Sequence, residues 1–246
     1  MKVLALDFDG VISDSAREAF VVAFRTYRAL APDSRLPDDE ATRAAFLEAM
    51  PLGNRAEDFG VVLAAIDAGE RLADQRDYDR FRDGLPRVFA ARFHARFYAE
   101  RSAFARRDPA GWLRLMAPYP AVTSLLRRRA GARRLAIATA KDRPSVEALL
   151  DAYGLRDLFE PQLVLDKEAG TSKRAHLCVL CERTGARCGD VTFVDDKVNH
   201  LEDVADLGVR PVLAAWGYNG ARERRRARDC GFEVATPQNA EALLFA

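Results

Sequence analysis

Asp7 and Asp9 stand one residue apart in LDFDG, directly after a short apolar run and before a glycine. Three similar runs also end in groups with chemical capacity. Thr139 and Lys141 follow the second, Asp166, Lys167 and then Lys173 follow the third, and Asp195-Asp196 follow the fourth. Carboxylates gathered in one place repel one another, and they lose ionisation unless something positive sits among them. Oxygen ligands of this kind suit a hard dication such as Mg2+, which takes one or two carboxylates, waters and a substrate phosphate. One carboxylate can then be the nucleophile of aspartyl-phosphate chemistry. A second, two residues on, can act as general acid and then as general base. The Thr139 hydroxyl and a lysine ammonium would hold phosphoryl oxygens and offset their charge. A single D-x-D reads equally well as a solvated turn; four such endings together point to phosphoryl chemistry.

Those groups share a site only if the runs before them are neighbours in one sheet. Residues 3–6, 135–138, 162–165, 191–194 and 211–214 are short and apolar, as buried parallel strands are. Helical stretches at 145–153, 176–183 and 201–207 lie between them, the alternation of right-handed βαβ units. The expected fold class is α/β, with a Rossmann-like parallel sheet core. Ligands of such sheets bind beyond the carboxyl ends of the strands. Residues 15–118 differ, with no convincing strand and much Ala, Arg, Glu and Leu. Within them, 87–105 places Phe89, Phe93 and Phe97 at i, i+4, i+8 with arginines elsewhere, an amphipathic helix. The economical organisation is a catalytic core from 1–14 plus 119–246, interrupted by an all-helical inserted domain over 15–118.

Composition excludes several classes. The 38 Lys+Arg against 37 Asp+Glu leave a net charge of +1, without the basic excess of a nucleic-acid binder. No apolar stretch approaches the ~18–20 residues of a membrane span. The first ten residues meet two aspartates before a signal-peptide core is complete, so a cytoplasmic location is expected. Cys178 and Cys181 have a C-x-x-C spacing, but they sit in the apolar-periodic AHLCVLCERTG, where cysteine reads as a small buried hydrophobe. The basic cluster 222–228 reads as a solvated helix face.

With these residues in place, the chain resembles the haloacid-dehalogenase-like (HAD) hydrolase superfamily. DFDGVISDS is similar to its first motif, IATAK to its second, the lysine of GTSKRAHL to its third and FVDDKVNHLEDVADLG to its fourth. PYPAVTSLLRRR, ALLDAYGLRDLFE and AAWGYNG resemble the phosphoglycolate-phosphatase-like branch, whose helical cap occupies the position of residues 15–118. The resemblance implies Asp7 as nucleophile and Asp9 as acid/base. It implies phosphate binding by Thr139, Ala140 and Lys173. It implies Mg2+ held by Asp7, the main-chain carbonyl of Asp9, and Asp196 with Asp195. Two departures stand out. The lysine at 173 is followed by Arg174 and Ala175 rather than the family's prolines, which leaves Lys167 as a rival. His200 stands where many relatives have a second acid; it reads as a variant, and Asn199 offers a further oxygen.

The expected activity is Mg2+-dependent hydrolysis of a small phosphomonoester metabolite through an aspartyl-phosphate. Its alternatives are a β-phosphoglucomutase-like phosphomutase and a catalytically silent binding protein of the same fold. A dehalogenase has no need of Asp9 and the Asp-Asp pair, and a phosphonatase needs a cap lysine that residues 15–118 lack. Candidates for substrate selection are Arg55 in the loop 51–55, Lys141, and Arg143; a guanidinium can clamp an anion bidentately. Each arginine also reads as an ordinary surface residue. The physiological substrate and the oligomeric state stay open.

Overall fold

The structure, a computed structural model of the chain, describes residues 2–53 and 55–245. Its contacts divide the chain into two units, Met1–Asp14 with Ala117–Ala246, and Ser15–Met116. The first holds a six-stranded sheet. In chain order its strands are β1 (Val3–Leu6), β4 (Arg134–Ala138), β5 (Val164–Leu165), β6 (Val191–Asp195), β7 (Arg210–Ala214) and β8 (Glu233–Ala235). The remaining two, β2 (Ser13–Asp14) and β3 (Ala117–Pro118), form a separate antiparallel ribbon. The sheet order is β5-β4-β1-β6-β7-β8, and every pairing in it is parallel.

All four residues of β1 are buried, because neighbours flank it and helices cover both faces. Val3, Ala5, Ala136, Ala138, Val191 and Phe193 join one core cluster with Leu177 and Leu180 of helix Lys173–Thr184 and Leu201 of helix Val198–Val204. Leu4, Leu6, Ile137 and Val194, of the opposite parity, are buried as well. Leu6 is level with Ile137 and with Val194, so the residues after β1, β4 and β6 leave the sheet along one edge.

The elements of Ser15–Met116 are all helices among the described residues. A chain of rings, Phe20, Phe46, Phe59 and Phe97, links them at centroid spacings of 5.4, 5.6 and 5.8 Å. Phe93 and Phe97 of helix Phe89–Arg107 are buried, as the spacing predicts, but its arginines are not all outside. Arg101 is buried and donates two 2.8 Å hydrogen bonds to the fully buried Glu18, which also accepts from the Trp112 indole at 3.1 Å. Removing one partner of such a pair strands the other charge. Glu18→Ala should therefore destabilise this unit by about 3–5 kcal/mol. Replacing both, Glu18→Leu with Arg101→Met, should recover most of that loss in urea titrations. A Glu18→Ala midpoint equal to that of the unaltered protein would disprove the assignment.

Three details differ from the expectation. Pro118 belongs to β3, paired with Ser13, rather than to the helical insertion. Residues 161–163 form a 3-10 turn, leaving β5 only Val164–Leu165. Cys178 is exposed and Cys181 only half-buried, so the first of them is not a core residue. No helix among the described residues is long and apolar enough to cross a membrane.

Candidate active site

The edge of the sheet brings together groups distant in sequence. Asp7 continues the ladder, its N–H donating to the Val194 carbonyl at 2.9 Å, and Thr139 does the same toward Leu165. The Lys173 ammonium, buried at the first turn of its helix, lies 2.7 Å from an Asp7 carboxylate oxygen and 3.2 Å from Asp195. It also donates to the Ala138 carbonyl at 2.7 Å. Lys167 is half-exposed, with its ammonium paired with Glu168 at 3.0 Å and its N–H donating to the Lys141 carbonyl at 3.3 Å. Of the two rival lysines, Lys173 is the one in contact with Asp7 and Asp195.

The adjacent aspartates have opposite surroundings. Asp195 accepts from the Lys197 N–H at 2.9 Å, and His200 Nδ1 lies 3.1 Å from each of its oxygens. Burial disfavours its charge, yet Lys173 and His200 hold the carboxyl below the usual carboxylate range. Asp196 accepts instead from the Tyr218 N–H. Burial first, then the charges of Asp195 and Asp7, push it up to about 8 against the partial relief of Lys197. Burial likewise raises Asp7, with Lys173 opposing and Asp195 adding. Lys173 itself is held charged against burial by Asp195 and Asp7.

The chain is shaped closely around Asp196. Gly10 has φ +83°, and a Cβ there would stand 2.4 Å from Asp196 Oδ2. A Cβ at Gly217 would stand 2.3 Å from the Asp196 Cβ and 2.4 Å from the Gly10 carbonyl. The Tyr218 N–H donates to the Asp196 carboxylate at 2.8 Å, and the Asn219 amide to the Asp196 carbonyl at 3.1 Å. Arg224 in turn donates to Asn219 at 3.0 Å. Residues 217–219 entered the sequence reading only as part of a resembling string; nothing in their types announces a contact with the aspartate pair.

The remaining candidates divide. Lys141, fully buried at its side chain, holds Asp9 through contacts of 3.0 and 3.2 Å, and its N–H donates to Thr139 Oγ1 at 3.1 Å. It is placed to position Asp9. Ala140 is exposed just past β4. The Arg143 guanidinium is engaged with the carbonyls of Pro161 and Val164 and with Glu147, and so braces β5. Asp166 accepts from the Arg143 N–H at 3.1 Å and serves local structure. The Asn199 side-chain oxygen accepts from the His200 N–H. Arg55 lies in the helical unit, exposed at the start of helix Ala56–Asp67, where its N–H donates to Asp58; Asn54 of the same loop is outside the described residues.

His176 was not foreseen. Its Nε2 is 2.9 Å from the Asp166 carbonyl, which can only accept, so Nε2 carries the proton. Burial, then the Lys173 charge, lowers it from 6.5 to about 4. The unfolded chain therefore takes up this proton first. The contribution of neutral His176 is fully present above about pH 6.5 and is lost as pH falls toward 4. Relative to a His176→Gln variant, the protein should lose about 2–3 kcal/mol between about pH 7.5 and 4.5 in urea titrations. Parallel curves would rule this out.

The donor set tests the fit of a dication. Three acidic side chains, Asp7, Asp195 and Asp196, are buried together, and for Asp196 the cost of ionisation is only partly offset. Asp7, Asp195 and His200 can each bring a donor atom within 4.8 Å of the others. Asp195, however, already accepts from Lys173, His200 and Lys197. Asp196 is the carboxylate that gains most from added positive charge. Hard oxygen donors with that deficit fit Mg2+.

Comparison with known families decides the membership. A model of the haloacid dehalogenase-like hydrolases matches residues 1–205. The chain belongs to that family. This HAD-like hydrolase is 30% identical over 161 residues to a phosphoglycolate phosphatase of Synechococcus elongatus, covering 63% of its own length and 74% of the relative's. Its fold superposes on a predicted phosphoglycolate phosphatase from Haemophilus somnus with TM-score 0.66 at 18% identity, covering 99% and 97% of the two chains. A haloacid dehalogenase-like protein from Streptococcus pneumoniae gives 0.68 at 13%, covering 99% and 98%. At such identities the two structures establish the fold of this HAD-like hydrolase, and the function rests on the family.

Proposed function

We propose that this HAD-like hydrolase is a Mg2+-dependent phosphatase that cleaves a small phosphomonoester metabolite through a phosphoryl group carried on Asp7. The observation behind this reading is the buried Lys173, which touches Asp7 and Asp195 at once, while Asp196, packed against Gly10, has its charge disfavoured by burial and by Asp195. Asp7 attacks phosphorus, and the bond to the leaving oxygen breaks. Asp9, positioned by Lys141, gives that oxygen its proton. Asp9 then takes a proton from the water that attacks the phosphoryl group on Asp7, and the free carboxylate returns. Thr139, Ala140 and Lys173 hold the phosphoryl oxygens. Asp7, the Asp9 carbonyl and Asp196 would bind Mg2+, with Asp195 orienting Lys173. When bound, the ion would offset the charge of the carboxylates and of the transferring group.

The family, together with a relative that is a phosphoglycolate phosphatase, supports a small anionic substrate of that class. Residues 15–118 are proposed as the cap that selects it, with Arg55 as its anion contact. The test is release of inorganic phosphate from p-nitrophenyl phosphate and then from a panel of phosphorylated metabolites. Release that requires Mg2+ and stops with a chelator supports the reading. Isomerisation of a sugar phosphate without net phosphate release would make the protein a phosphomutase instead. No turnover by folded, Mg2+-loaded protein on any member of the panel would overturn it.

A further inference from the structure

We propose that Cys181 and Cys188 are a thiol pair that closes reversibly into a disulfide, with a low-molecular-weight disulfide as oxidant. Their sulfurs are 3.2 Å apart, although the residues are separated by seven positions. A disulfide bond is about 2.05 Å long, so closure needs an approach of only about 1.2 Å. The chain between them is built to reverse. Helix Lys173–Thr184 ends at Gly185, whose φ of +67° turns the backbone, and Cys188 opens the 3-10 turn Cys188–Asp190 that leads into β6. Both cysteines pack against the core cluster of the sheet and are half-buried, so their partnership is held by surrounding side chains. Cys178 and Cys230 are exposed, and Cys230 lies against Glu202 at 3.4 Å.

A shared metal is a poor alternative. The group of three acidic, histidine or cysteine side chains placed to hold an ion, among the described residues, is Asp7, Asp195 and His200, with no sulfur in it. Thiol–disulfide exchange fits better. Burial first, then the neighbouring Cys188, pushes the Cys181 thiol up to about 12, so Cys181 is assigned the second, resolving step. The Cys188 thiolate attacks one sulfur of the oxidant, forming a mixed disulfide and releasing one thiolate. Cys181 then attacks the Cys188 sulfur, its proton passes to the second departing thiolate, and the protein disulfide forms. Two protein thiols are oxidised and one small disulfide is reduced to two thiols.

The location gives the bridge a consequence. The helix that starts at Lys173 and the strand that ends at Asp195 already meet at the active edge through their 3.2 Å contact. The disulfide would join the same helix, near its end, to the lead-in of the same strand. Helix and strand would then be tied at both extremities, without any change to the groups at the site.

Incubation of the full-length protein with oxidised glutathione, followed by thiol counting and peptide mapping, tests this. The free thiols should fall from four to two, with a 181–188 linkage that dithiothreitol reverses and a Tm higher by about 5 °C. Cys178→Ser with Cys230→Ser should keep the bridge, and Cys181→Ser or Cys188→Ser should remove it. If those single variants do not fold, the map of the unaltered chain decides. Four free thiols after oxidation, glutathione left on Cys188 beside a free Cys181, or linkage through Cys178 or Cys230 would each overturn the proposal.

Discussion

Asp7→Asn is expected to abolish turnover while leaving the sheet folded. The amide has the shape of the carboxylate but no charge with which to attack phosphorus. Loss of a covalent nucleophile lowers kcat by about 10^4–10^6-fold. Folding should survive, because the amide oxygen can still accept from the Phe8 N–H, now at 2.7 Å, and from Lys173. Burial already raises the Asp7 pKa, so a neutral group in its place is not itself penalised, and stability should stay within about 1–2 kcal/mol. Asp9→Asn should differ in kind, slowing departure of the leaving group and the attack of water alike. Acid quenching with a labelled substrate should trap a phosphoprotein in the parent chain and none in Asp7→Asn. Phosphate release by Asp7→Asn within tenfold of the parent rate would remove the nucleophile from the mechanism.

The inner parallel strands were legible because most of their residues are covered on both faces, and such cover demands a nearly unbroken apolar run. β8 escaped for the same reason. It is a three-residue edge strand whose burial runs exposed, half-buried, buried, and Glu-Val-Ala has no signature of its own. The ribbon of β2 and β3 joins residues about a hundred positions apart through backbone groups, which the side-chain pattern does not report. Pro118, read as punctuation, is half of that pairing.

The site was legible wherever a residue type carries its own chemistry and opaque wherever a partner decides the role. Asp7 and the aspartate pair announce themselves, whereas Lys173 shared its expectation with Lys167. That Asp195 keeps its charge while Asp196 is pushed toward its neutral form depends on Lys173 and His200, which reach Asp195 from the start of one helix and the start of another. Lys141 and Arg143 were indistinguishable as cations after one strand. In the fold one turns to Asp9 and the other to the carbonyls before β5. Gly217 matters for what it lacks, since any side chain would displace Asp196.

Lys173→Ala and Lys167→Ala should separate by orders of magnitude although both delete one lysine. Lys173 is 5% exposed at its side chain and offsets two buried carboxylates, Asp7 and Asp195. Without it those groups face each other with His200 as their remaining charge partner among the described residues, and breaking a buried ion pair costs about 3–5 kcal/mol. The phosphoryl oxygens also lose a fixed positive charge, worth about 10^2–10^3-fold in kcat. Lys173→Met keeps the bulk of the chain without the charge, so it separates packing from electrostatics and should lose activity as severely. Mg2+ should raise the Tm of the Lys173 variants more than that of the parent, because the ion then meets a larger charge deficit. Lys167 pairs with Glu168 at the surface, where such contacts contribute about 0–1 kcal/mol, and its removal should leave kcat and the urea midpoint nearly unchanged. The reverse pattern, with Lys167→Ala inactive and Lys173→Met active, would move the phosphate-binding lysine to the other end of the loop. It would then need Lys167 to abandon Glu168 and reach the edge where Asp7 now meets Lys173.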